Sequence, residues 1–172
     1  MAWLAGLAFL LGGWGVAVAA EWQAHVMRVE PGGVIVVSDS RRMEEPGIFL
    51  RFYGVDVPTK GQPFGDEAQQ YLESTLPRGT TVSVQNVIKE EGGSIRCMIQ
   101  LHGQSLNYQM LAEGLAWVNR RQCKAVFCRR WFIQEHQAVQ EKRGVWSIPI
   151  GTPPWQWGEE GEEKPLARTP RR

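Results

Sequence analysis

Five stretches of β-type residues in a hairpin-rich order, one helical stretch between the third and fourth, and two more after the fifth predict an α+β, mainly β fold. The architecture that suits this order is a five-stranded OB-like β-barrel with three helices. Length agrees, since 172 residues suffice for one domain with a core plus short extras. A hydrophobic share of 43% and a net charge of +1 exclude a strongly basic nucleic-acid binder and an acidic disordered chain.

Residues 22–29 alternate, with Trp22, Ala24 and Val26 set against Gln23, His25 and Met27, and predict the first strand. Pro31-Gly32-Gly33 is a turn, and 34–38 returns as the second strand. After a charged loop at 39–47, residues 48–55 predict a third strand. Residues 65–76 have helical spacing, with Ala68, Tyr71, Leu72 and Leu76 on one face and Asp66 and Glu67 in the first turn. Pro77-Arg78-Gly79 stops that helix. Strands follow at 81–87, with an irregularity before Val87, and at 95–101, and His102-Gly103-Gln104 is a tight turn. Helices are predicted at 106–113 and 131–143.

Residues 1–20 carry no charge and end in Ala17-Val18-Ala19-Ala20, small residues that suit signal peptidase. Export is the expectation, although the usual basic opening is missing. An uncleaved membrane anchor is the alternative, because twenty apolar residues just span a bilayer. The domain is then 21–147, and 148–172 is a tail rich in Pro, Glu and Arg without a core pattern. Within the tail, Pro153-Pro154-Trp155-Gln156-Trp157 reads as a linker or a partner-binding segment. The acids of 159–163 offer charge complementarity to the basic loop described below.

Three cysteines suit an oxidising compartment. Cys123 and Cys128 are close enough in sequence to close a small loop by a disulfide, and Cys97 in a strand pattern reads as a buried thiol. The histidines are scattered, which argues against a zinc site.

Residues 50–58 read LRFYGVDVP, a strand carrying Arg51 and Asp56. Unpaired burial of either charge is costly. The pair therefore either faces water or serves a common ligand. Further along, Arg120, Arg121, Lys124, Arg129 and Arg130 place five positive charges in eleven residues with no intervening acid. Trp117, Phe127 and Trp131 are interleaved. Such a patch suits a nucleic-acid backbone, anionic lipid or another polyanion, or it is a solvated loop with its aromatics in the core.

Several ordered motifs carry a family resemblance. Val29-Glu30-Pro31-Gly32-Gly33-Val34-Ile35-Val36 stands where a V-x-D-G-D-T-I-x-V hairpin is found, and 50–58 matches a V-R-L-x-G-I-D-A-P-E strand. Pro63-Phe64-Gly65 with Glu67-Ala68 matches P-x-G-x-E-A. Residues 103–107 and 111–118 match G-x-x-V-N and L-V-x-x-G-L-A-W-V, and Gly144-Val145-Trp146 matches a closing G-L-W. From about Val26 to Trp146 the chain thus resembles the thermonuclease, or staphylococcal nuclease-like, family.

That resemblance implies a Ca²⁺-dependent phosphodiesterase acting on DNA and RNA, with two aspartates and a carbonyl on the metal, a glutamate acting on water and two arginines on the phosphate. It carries over to Asp56 as metal ligand, to Val57 through its backbone carbonyl, and to Arg51 as first arginine. Other positions depart. The second metal aspartate falls on Gly32 with Glu30 at the outer acidic position, the glutamate falls on Thr59, and the second arginine falls on Ser94, with Arg96 two residues on as its substitute. The expectation is a degenerate hydrolytic site on an exported monomer that binds nucleic acid or another polyanion without efficient cleavage. The alternatives are a Ca²⁺-dependent nuclease using Glu30, Asp56, Arg51 and Arg96, and an interaction protein of the cell envelope held by residues 1–20.

Overall fold

The computed structural model describes residues 21–39, 47–89, 94–149 and 151–160, without the side chains of 39, 86–89 and 158–160. Residues 1–20, expected to be a signal peptide or anchor, and residues 161–172 lie outside the described residues, as do most of the charged loop and the side chains of the 159–163 acids.

Strand β1 (Trp22–Glu30) pairs antiparallel with β2 (Val34–Asp39) and with β5 (Thr81–Lys89). β2 pairs with β3 (Ile48–Phe52), and β5 with β6 (Ser94–Leu101). A parallel pairing of β3 with β6 closes the five strands into a barrel, and the short β7 (Gln104–Ser105) extends β6. The fold class expected from the sequence is the one observed. Closure leaves the barrel without a free edge between β3 and β6.

A register shift between Val26 and Arg28 changes which face of β1 points inward. Ala24 and Val26 are buried, and after the bulge Val29 enters the core in place of Arg28. The β5–β6 ladder shifts between Gln85 and Ile88, at the irregularity expected before Val87. Inside the barrel, Val26, Ile35, Leu50, Val82, Val84 and Ile99 are at most 1% exposed. Helix α1 (Gly65–Thr75) closes one end with Ala68 and Leu72, helped by Leu76 just beyond it.

Three boundaries differ from the sequence expectation. The strand expected at 48–55 is interrupted by a turn at Tyr53-Gly54, and β4 (Val55–Asp56) pairs instead with β8 (Trp117–Val118). Gly54 allows the bend: its φ is +64°, and a Cβ there would lie 2.9 Å from the Cys123 sulfur. Asn107, fully buried in α2 (Leu106–Ala112), holds the broken strand to β6. Its Nδ2 donates to the Tyr53 and Cys97 carbonyls and its Oδ1 accepts from the Ile99 amide.

Secondly, α3 (Cys128–Gln140) begins three residues earlier than expected, at the cysteine bonded to Cys123. Thirdly, within the stretch read as a patternless tail, Pro154–Glu160 forms a short helix, α4. Its approach is anchored to the domain. Buried Gln62 donates from Nε2 to the Thr152 carbonyl, and Gly151 sits so close to the Val145 carbonyl that a Cβ would lie 2.9 Å from it. No helix among the described residues is long and apolar enough to cross a membrane.

Candidate functional site

Strand β3 alternates strictly at its end: Leu50 and Phe52 point into the core, while Arg51 is exposed on the opposite face. In the parallel pairing Arg51 stands beside Arg96, and directly paired residues of neighbouring strands share a face. Both guanidiniums therefore border one cleft of about 240 Å³, which Asp56, Gly32 and Thr59 also line. Arg96, named from the sequence as the substitute for the second arginine, is thus the β6 partner of Arg51. Ser94, where the resemblance puts the second arginine, starts the same strand.

Asp56 lies just past the bend, its side chain 18% exposed. Oδ2 accepts from Asn119 Nδ2 at 2.7 Å, and Oδ1 is 3.7 Å from Arg96 Nη1, a loose ion pair. Asn119 is fixed in turn, because its Oδ1 accepts from the amides of Arg121 and Gln122 and its backbone amide donates to the Gly54 carbonyl. Its role was not legible in sequence, since the contact with Asp56 spans 63 residues.

The cleft lining is uncharged at the two positions where the resemblance expects acids, Gly32 and Thr59. Gly32 has φ +76°, and a Cβ placed on it would lie 3.7 Å from the Thr59 hydroxyl oxygen. These two positions therefore face each other. Glu30 turns elsewhere: its carboxylate takes two bonds from the Arg28 guanidinium, at 2.7 and 2.9 Å, and it is not among the residues lining the cleft. Val57 is buried, its side chain filling the space beside Gly33.

Ca²⁺ takes about six to eight oxygens, mostly from carboxylates and carbonyls. Among the described residues, the cleft offers one carboxylate, already engaged by an amide and a guanidinium, together with the Val57 backbone. No three His, Cys, Asp or Glu side chains among the described residues come together to hold a metal. The donor set of the described residues does not fit the ion.

All five basic residues of the loop are exposed. Arg120 is partly neutralised, however, because Nη2 lies 2.7 Å from Glu135 Oε2 and the guanidinium stands 5.2 Å over the Phe132 ring. Glu135 is only 4% exposed and also accepts from the Val118 amide at 2.8 Å, so this acid holds the base of the loop. Cys123 and Cys128 form the expected disulfide. Two of the interleaved aromatics belong to the interior and the third is half-buried. Trp117 and Trp131 are buried, and Phe127 packs edge-on against Tyr53 and tilted against Trp131. Cys97 is a buried free thiol, and burial pushes its pKa up to about 12.

With this arrangement established, comparison with known proteins assigns the class. Residues 49–148 match the model of the staphylococcal nuclease homologue family, and the chain belongs to it. An Escherichia coli protein named as an uncharacterized endonuclease is 30% identical over 141 residues, 81% of this chain and 87% of that protein. A micrococcal nuclease of Shigella flexneri is 27% identical over 146 residues, covering 80% and 81% of the two chains. A staphylococcal-like nuclease of Arabidopsis thaliana is 29% identical over 110 residues, 63% of this chain and 32% of that one. The domain is thus nuclease-like, in a family whose members generally depend on Ca²⁺.

Proposed function

We propose that this domain binds nucleic acid through the phosphate backbone at the Arg51–Arg96 cleft and does not cleave it efficiently. One observation carries the reading: two arginines sit side by side in the cleft while Gly32 and Thr59, next to each other, line it where the resemblance expects acids. Paired guanidiniums suit a phosphodiester anion, to which planar, fixed donors bond well. Hydrolysis needs a metal or a base in addition, and one preorganised electrostatic group alone is commonly worth about 10²–10³ in rate.

The alternative, a Ca²⁺-dependent phosphodiesterase, gains support from the meeting of Arg51, Arg96 and Asp56 in one cleft. It loses support from Glu30, whose carboxylate is taken by Arg28. We also place the domain outside the cytoplasm. The Cys123–Cys128 bond supports an oxidising compartment.

Anisotropy of a labelled single-stranded oligonucleotide at low salt tests the binding claim. Affinity should be the same with Ca²⁺ and with chelator, and Arg51→Ala or Arg96→Ala should each weaken it about tenfold. Failure of the wild-type chain to bind, or an absolute need for Ca²⁺, would sink the proposal.

A further inference from the structure

Trp155 is the tryptophan left most open among the described residues, with 43% of its surface exposed. It forms a recess of about 170 Å³ with Val118, Asn119, Arg120 and Arg121. Two independent links set this recess next to the arginine cleft, although the two share no lining residue. Pro154, the residue before Trp155, lines the cleft itself. Asn119, in the recess, bonds the cleft's Asp56. The segment that carries the indole is held on the domain by the Gln62 bond to the Thr152 carbonyl, and Gln62 Oε1 also accepts from the Thr59 amide on the cleft wall.

From this arrangement the geometry points to a base-stacking subsite for single-stranded nucleic acid. A base lies against Trp155, Arg121 takes an adjoining phosphate, and the strand runs on past Pro154 to Arg51 and Arg96. Stacking on an exposed aromatic needs a π-face and no particular base, so the subsite favours single strands without reading sequence. Arg121 suits the phosphate better than Arg120, because Arg120 is already committed to Glu135 and Phe132. Trp117 and Trp131 are buried and Phe127 is half-buried against Tyr53 and Trp131, whereas Trp155 is the exposed aromatic in the recess that Arg120 and Arg121 line. The inference rests on the binding reading above and adds to it the form of the ligand.

The test compares the full chain with Trp155→Ala, Trp155→Phe and Arg121→Ala. Each is titrated into a labelled single-stranded DNA and the matching duplex across a salt series in chelator. Trp155→Ala should lose about tenfold in affinity for the single strand, with duplex affinity and salt slope unchanged. Trp155→Phe should recover most of the loss. Arg121→Ala should weaken both ligands and lower the salt slope by about 1. Trp155→Ala binding single strand as tightly as wild type, while Arg51→Ala does not, would overturn the subsite and leave the cleft reading standing. Equal losses on single strand and duplex would also overturn it, by assigning Trp155 a structural role. No binding by the wild-type chain would overturn both.

Discussion

The two walls of the cleft are built differently. One wall is strand: Arg51 and Arg96 project from β3 and β6, whose opposite faces carry Leu50, Phe52, Cys97 and Ile99 into the core. The other wall is turn and connection, with Gly32 in the β1–β2 turn and Thr59 in the segment after β4. Register on the first wall is fixed by a buried face, since a slip of one residue would expose the core set. Nothing comparable fixes side-chain identity in a surface turn, where most substitutions cost little. The fold therefore fixes where the outward side chains at 51 and 96 stand, whereas the turns fix neither the place nor the identity of theirs.

Stability measurements sharpen the contrast most strongly. Leu50→Ala should cost about 2–5 kcal/mol in urea denaturation, whereas Thr59→Ala should stay within about 0.5 kcal/mol. Comparable losses would mean that the second wall is also structurally constrained. Next comes restoration of the acids. Gly32→Asp combined with Thr59→Glu puts two carboxylates opposite Asp56, and Asp is one of the residues that tolerates a left-handed backbone. This variant should gain Ca²⁺-dependent stability, about 2.7 kcal/mol when Ca²⁺ reaches 100 times its dissociation constant, and the wild type should gain none. A Ca²⁺-dependent rise in the wild-type Tm would contradict the fit argument.

Smaller effects come from the joints of the site. Asn119→Ala removes the bond to Asp56 and the acceptor for the Arg121 and Gln122 amides, and should cost about 1–2 kcal/mol. On β6, Cys97 tests whether the core face behind the arginines is dry. Its folded pKa is raised to about 12 from 9.0, so its contribution is complete below pH 9 and is lost as pH rises toward 12. The stability difference between wild type and Cys97→Ala should shift by about 1.4 kcal/mol between pH 8 and pH 10, to the disadvantage of wild type. No shift would mean that water reaches the thiol.

The sequence supplied the barrel because its strands alternate and its turns are marked by Gly and Pro, both local signals. Arg51 and Asp56 were legible for the same reason, as charges in an apolar run. Arg96 was legible only as a substitute two residues beyond Ser94, because its place beside Arg51 is set by the β3–β6 closure rather than by neighbouring residues. Asn119 and Glu135 carry no local sign because their work is done at long range, and Asn107 is marked only as the asparagine of its motif, with no sign of what it bonds. Asn107 reaches back 54 residues to Tyr53, and the Gln62 bond that anchors the Trp155 segment spans 90. The split of the third strand has one local sign, a glycine between Tyr53 and Val55, but its partner strand β8 is distant in sequence.

The central claim is that the cleft holds phosphate without the means to hydrolyse it. Its most direct test follows cleavage of a labelled single-stranded DNA by the purified chain in Ca²⁺ and in chelator. The expected result is no cleavage above the chelator background while the oligonucleotide remains bound. Ca²⁺-dependent cleavage that disappears in Asp56→Ala would contradict the account and show that one carboxylate suffices.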